Sequence, residues 1–211
     1  MAGMVRRIAS VMLVLGLATV ARAAAAPTEL SSCQTIFSPG AYVVTQNLSN
    51  PSGDCLLLEA DQVTIDLNGF VVSGAGSGIA SAGGGTRFLT AIRNGTVIGG
   101  AHGIGLASGR ATMVERVRAR GGNGWAVLLA EEAVVKDCIA VDGDGGIQVG
   151  ASSLVVGNIA SDNGGPGIMA GGTSILRENT ASRNVGTAWW LAAPRHSPAT
   201  RRVSTAGWES R

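Results

Sequence analysis

The sequence predicts an all-β chain wound into a single-stranded parallel β-helix of about seven coils, and three observations carry that prediction. The first is a pair of marker series with one period. Asp137, Asn158 and Asn179 stand 21 residues apart, and steps of 21, 22 and 26 back from Asp137 reach Arg116, Asn94 and Asn68. The glycines Gly78, Gly103, Gly124, Gly146 and Gly167 advance by 25, 21, 22 and 21, each followed by Ile or Trp. Self-similarity at such a period marks a solenoid. The second observation is the content of each unit: short runs of Val, Ile and Thr broken by Gly, Asn and Asp, with no helical periodicity. The third is composition. Of 211 residues 45% are hydrophobic but only 4% aromatic, and 32 are glycine. Small side chains suit the narrow interior of coils stacked at the ~4.8 Å interstrand spacing.

Residues 1–23 read as a secretory signal peptide. Arg6 and Arg7 precede an apolar run from Ile8 to Val20, and Ala21-Arg22-Ala23 supplies the small-x-small cleavage pattern. The run is shorter than the ~20 residues that cross a bilayer, so cleavage is expected rather than anchoring. No membrane span is expected in the mature chain. The predicted location is secreted, periplasmic or at the cell surface. Loss of Arg6, Arg7 and Arg22 leaves 13 basic against 14 acidic side chains. No Lys/Arg cluster interleaved with aromatics lies in residues 24–186, which speaks against nucleic acid as a partner. Lys136 is the only lysine, and with the Ala, Gly and Arg content this points to a GC-rich bacterial source.

The asparagine column has a physical reason. Where coils turn, backbone N–H and C=O groups face inward without a strand partner, and leaving them unpaired is costly. A carboxamide offers two donors and an acceptor. Asn68, Asn94, Asn158 and Asn179 are therefore expected to stack as an internal ladder with a structural role.

Several stretches resemble a known family: Pro39-Gly40-Ala41-Tyr42-Val43-Val44, Gly53-Asp54-Cys55, Val63-Thr64-Ile65-Asp66-Leu67-Asn68-Gly69-Phe70 and Ile92-Arg93-Asn94-Gly95. They are similar to secreted bacterial right-handed parallel β-helix repeat proteins of the pectin-lyase-like superfold. The resemblance covers about residues 33–186 and implies the right-handed form of the solenoid. It is specific for fold and weak for function, because the superfold hosts lyases, hydrolases, epimerases and non-catalytic surface proteins.

Cys33 and Cys55 are 22 residues apart, one coil. Equivalent Cα atoms on neighbouring coils fall within disulfide reach, and an exported chain meets an oxidising compartment, so the two are predicted to bridge. Cys138 is left over, in an ordinary strand slot, and is read as a packed hydrophobe. Residues 24–186 form the β-helix domain and 187–211 a tail outside the repeat, since Ala188-Trp189-Trp190 stands where Gly-Ile is due. The tail's Pro and Arg content points to poor order; a cap over the last coil, or the product of a frameshift or truncation, are the other readings of it.

The chain offers little recognisable chemistry, and no catalytic residue is assigned. The family's pectate-cleaving members use clustered carboxylates for calcium with an Arg or Lys base, and its polygalacturonases use paired Asp with His-Gly and Arg-x-Lys motifs. None of these sets stands here. His102 is a lone histidine in a glycine turn, read as a solvent-exposed turn residue. No zinc spacing exists and no cofactor is expected. Asp142-Gly143-Asp144-Gly145 has only two of the ligands a calcium loop needs.

The densest polar stretch holds Arg116, Arg118, Arg120, Lys136, Asp137, Asp142 and Asp144. The period sets Glu115 beside Lys136 and Arg116 beside Asp137, which predicts ion pairs across adjacent coils of a solvated face. The same residues without Arg120 are the candidate polysaccharide-binding set, Arg116 and Arg118 holding sugar carboxylates and, in the enzymatic reading, Lys136 or an Asp assisting proton transfer. Two functional classes stay open: a non-catalytic exported solenoid binding polysaccharide or another cell-surface component, and a lyase, hydrolase or epimerase acting on uronate glycans. Short turns and the lack of a recognisable site favour the first. Oligomeric state is not legible in the sequence.

Overall fold

The computed structural model describes residues 26–83 and 87–187 together with the backbone of strand Trp189–Leu191. Among these residues every regular element is a β-strand and every strand pairing is parallel. The expected signal peptide and the tail after Leu191 lie outside the described residues.

Each coil has three sides. Face A runs through Gly40–Val44, Val63–Asp66, Val134–Lys136, Leu154–Val156 and Ile175–Arg177. Face B includes Val71–Gly74, Ile139–Val141, Ile159–Ser161 and Thr180–Ser182. In the middle of the stack the longer strands Ala91–Gly99 and Met113–Arg120 pass through both faces. Face C is a sheet of 8 strands from Gln34–Ile36 to Trp189–Leu191, the return of each to the next closing a solenoid of about seven coils.

The corners have a simple cause. A single left-handed residue between two extended runs turns the chain, and such residues recur in columns. Gln62, Leu89, Ala111, Glu132, Ser152 and Thr173 turn C into A; Asn94, Arg116, Asp137, Gly157 and Glu178 turn A into B; Asp142, Asp162 and Arg183 turn B into C. Most are not glycine, and each carries the Cβ strain of that conformation, about 1–2 kcal/mol.

Alternating residues point inward. On face A, Ile65, Ile92, Val114, Val135 and Val155 stack in register, all fully buried. Face C contributes Leu56, Ile79, Ile104, Val127, Ile147 and Ile168, and face B contributes Val72, Val97, Ala119, Ala140 and Ala160. The step from Val to Ala on face B leaves room for polar side chains described below. Cys33 and Cys55 are bonded, with their Cα atoms 4.5 Å apart, and fasten the first coil to the second.

Register departs from the marker series in three places. Ile104 pairs with Val127 and Val127 with Ile147, so Gly124-Trp125 stands two residues ahead of the column that Gly103-Ile104 and Gly146-Ile147 share. Lys136 pairs with Val156 and Ile139 with Ile159, a step of 20, so Asn158 lies under Cys138 and Gly157 under Asp137. The corner from Asp162 to Gly167 holds one residue more than its counterpart from Asp142 to Gly146, and this restores 21 at Ile147 and Ile168. Likewise Asp66 pairs with Arg93, which sets Asn94 level with Leu67 while Asn68-Gly69 loops out as extra residues. At the other end the backbone register continues past residue 186. Ile168 pairs with Trp189 and Ala170 with Leu191, at the same step of 21.

Candidate functional site

The corner from A to B carries an open surface hollow of about 360 Å³. Its lining is Gly95, Thr96, Arg116, Val117, Arg118, Asp137 and Ile139. Register explains its form: Thr96, Arg118 and Ile139 are one outward column on face B, and Gly95 and Thr96 at its upper edge are too small to fill the corner. Arg118 and the left-handed residues Arg116 and Asp137 provide the polar rim.

Electrostatics distinguish these side chains. Arg116 Nε donates to Asn94 Oδ1 at 2.9 Å and its Nη2 to Glu115 at 2.6 Å. Lys136 Nζ lies 3.6 Å from Asp137. Arg118 is exposed and makes no ion pair among the described residues. The hollow thus contains two balanced pairs at its rim and one unopposed guanidinium.

The sequence candidates divide accordingly. Arg116, Arg118 and Asp137 share the hollow, with Lys136 at its edge. Asp142 and Asp144 do not; they occupy the B-to-C corner, where Asp142 pairs with Arg120 at 3.3 Å. The cross-coil ion pairs also form differently. Glu115 and Lys136 are in register, but the short contacts are Arg116–Glu115 and Lys136–Asp137, between chain neighbours. The left-handed turn at Arg116 and Asp137 swings each side chain back toward the residue before it. Among the described residues no group of three or more His, Cys, Asp or Glu is placed to hold a metal.

The internal asparagines form two short ladders rather than one column of four. Asn158 is 1% exposed. Its Oδ1 accepts the Cys138 N–H at 2.9 Å, and its Nδ2 donates to the Val135 carbonyl and to Asn179 Oδ1, both at 2.9 Å. Asn179 Nδ2 continues to the Val155 carbonyl at 2.8 Å. Asn68 and Asn94 stand apart from this. Both are left-handed turn residues; Asn68 is exposed, though its Nδ2 still donates to the Val44 carbonyl one coil back at 3.4 Å, and Asn94 donates to the Asp66 carboxylate at 3.1 Å. Their coils carry Leu67 and Gly95 near the inner slot, and the two carboxamides do not bond each other. Burial raises and three hydrogen bonds lower the Asp66 pKa; the bonds from the Asn68 N–H, Asn94 and Arg93 prevail, holding it below the usual carboxylate value.

A second ladder was not foreseen. Asn163, also 1% exposed, accepts the Gly143 N–H at 3.1 Å and donates to Asn184 Oδ1 at 2.8 Å. Asn158 and Asn163 flank Ala160, whose small side chain leaves them space. A hydroxyl column repeats the arrangement at the C-to-A corner: Ser153 Oγ accepts the Ala133 N–H at 3.0 Å and Ser174 Oγ the Ser153 N–H at 3.1 Å. The spacing of 21 in Asn163/Asn184 and Ser153/Ser174 was the available signal.

His102 differs from a solvated turn residue. It is half-buried, its Nδ1 accepts the Trp125 N–H at 2.9 Å, and its ring covers Gly124. Cys138 is fully packed, its thiol directed at the Lys136 carbonyl at 3.2 Å, and burial pushes its pKa up to about 11. A protonated, enclosed thiol is no nucleophile.

Three parallel faces, inward aliphatic columns and left-handed corners now stand beside a family comparison. A sequence model described as right handed beta helix region matches residues 48–196. The chain belongs to the right-handed β-helix family. No curated protein and no solved structure matches it. In this β-helix protein no helix among the described residues is long and apolar enough to cross a membrane. The Cys33–Cys55 bond is of the kind that oxidising compartments maintain.

Proposed function

We propose that the protein is an exported, non-catalytic solenoid that binds an anionic polysaccharide, or another acidic cell-surface component, at the corner between faces A and B. One observation carries this reading. Arg118 presents a guanidinium without a carboxylate partner in a hollow of about 360 Å³, within the size range of small-molecule sites. A planar guanidinium takes a sugar carboxylate in bidentate fashion. Arg116 is already oriented by Asn94 and Glu115, so it contributes position more than net charge. The reading against catalysis rests on the same residues. Asp137, the carboxylate in the hollow, is engaged by Lys136, and no second acid lines it for paired acid–base work. Export rests on the basic and apolar N-terminal residues and agrees with the disulfide.

Affinity electrophoresis in gels containing polygalacturonate, alginate or a neutral glucan tests the reading. Retardation by the acidic gels, weakened by salt and removed in Arg118→Ala, is expected. Equal migration of wild type and Arg118→Ala in every gel would refute it.

A further inference from the structure

Face C differs from the other two faces in charge. None of its 8 strands contains Asp, Glu, Lys or Arg. Face A carries Asp66, Arg93, Glu115, Lys136 and Arg177 in one outward register column, and face B carries Arg118 and Arg120. The outward column of face C reads Thr35, Leu57, Ala80, Gly105, Leu128, Gln148 and Met169, all but Ala80 partly exposed. Beside it the Trp125 indole lies over Gly145, and the half-buried His102 ring lies against Gly105 and over Gly124, its Nδ1 engaged by the Trp125 N–H.

We propose that face C is the surface through which two copies of this chain associate. An uncharged sheet face that two charged faces flank finds its match in another uncharged face, since any charged partner would lose solvation there without gaining a counter-charge. The relief is also self-complementary. A two-fold axis through Gly105 sets Leu128 of each copy against Ala80 of the other and Leu57 against Gln148, large opposite small or adaptable. Eight strands at ~4.8 Å and ~3.3 Å per residue give a face of roughly 34 by 13 Å. Two such faces bury on the order of 900 Å², just under the ~1,000 Å² that a lasting interface needs. The expected association is therefore reversible and concentration-dependent. It uses a different face from the Arg118 hollow and stands or falls without it.

Sedimentation equilibrium on the full mature chain tests this. Wild type is expected to show a monomer–dimer equilibrium that is no weaker at about 1 M salt, where surface charge pairs are screened. Leu128→Arg is expected to weaken it at least about tenfold, the cost of burying an unpaired charge, while Arg177→Glu on face A leaves it unchanged. Thermal melting checks that Leu128→Arg folds. The double variant Ala80→Cys/Leu128→Cys supplies a second measurement. These positions are two coils apart, ~9.6 Å, too far for a bond within one chain, so oxidation should give a covalent dimer. A monomer at every concentration with no covalent dimer, a dimer that salt or Arg177→Glu dissolves, or a monomer that retains a neutral glucan on this face would each overturn the proposal.

Discussion

Asn158 lies one coil below Cys138 and accepts its backbone N–H at 2.9 Å, while the Cys138 sulfur sits between the Lys136 carbonyl at 3.2 Å and the Val114 carbonyl at 3.5 Å. The Val114 contact matches the bond from Asn158 Nδ2 to the Val135 carbonyl. Cysteine and asparagine therefore occupy successive rungs of one internal slot. The slot changes from apolar to polar as the stack proceeds, and the stability of the last coils depends on the polar part.

Asn158→Ala should lower stability by about 1–3 kcal/mol, because the Cys138 N–H and the Val135 carbonyl lose a partner in a dry interior. Asn158→Asp should be no milder, since a buried carboxylate would face the Val135 carbonyl and Asn179 Oδ1. Lys136→Ala, exposed and paired loosely with Asp137, should cost about 0.5 kcal/mol or less. Denaturant titration of the three variants separates them; equal midpoints would mean that the slot is wet.

Cys138→Asn should extend the ladder upward by one rung. The new Nδ2 would reach the Val114 carbonyl that the thiol already faces and the Asn158 Oδ1 below. A gain on the order of 1 kcal/mol is expected from the added bonds, read as a higher melting temperature. A loss as large as that of Asn158→Ala would show that residue 138 does not share the slot.

Gly157 is a left-handed glycine of the A-to-B corner, at φ +68°, with Asp137 and Glu178 as its left-handed neighbours. Gly157→Ala brings in a Cβ that would meet Asp137 Oδ1 at 2.5 Å. The carboxylate can turn away, so the cost is mainly backbone strain, about 1–2 kcal/mol. Glu178→Gly relieves the same strain one coil on and should be neutral or stabilising. Opposite signs for the two substitutions in thermal melts are the expected result.

Alkaline conditions should destabilise the protein through Cys138. Its thiol has a native pKa of about 11 against an ordinary value of 9.0, raised by burial. Above the unfolded value the unfolded chain releases the proton and the native one keeps it, so deprotonation favours unfolding. Stability is thus intact below pH ~9 and falls by roughly 2–3 kcal/mol as pH rises to about 11. Cys138→Ala should remove that slope while leaving the Asp66 contribution on the acid side, which declines as pH falls through its lowered pKa.

The fold was legible in the sequence because a solenoid writes its period into the residue string. Gly146-Ile147 and Gly167-Ile168 mark equivalent positions, and the structure pairs Ile147 with Ile168. Corner length was not legible. A corner adds or drops a residue at little energetic cost, as the extra residue between Asp162 and Gly167 shows, and one such change moved Asn158 from beneath Asp137 to beneath Cys138. Asn68 and Asn94 fit the letter pattern because asparagine serves two purposes, tolerating left-handed turns and capping buried backbone. The Arg116, Arg118 and Asp137 cluster followed from the period. The separation of Asp142 and Asp144 from it did not, because a second corner intervenes that charge spacing alone does not reveal.

Binding without turnover is the central claim, and one assay addresses it directly. Purified mature protein is incubated with polygalacturonate and with alginate, and unsaturated uronate products are followed by ultraviolet absorbance while bound protein is measured in the same samples. The account predicts binding that Arg118→Ala abolishes and no time-dependent rise in absorbance. A steady rise that scales with protein concentration and disappears in Lys136→Ala would contradict it and make the A-to-B corner a catalytic site.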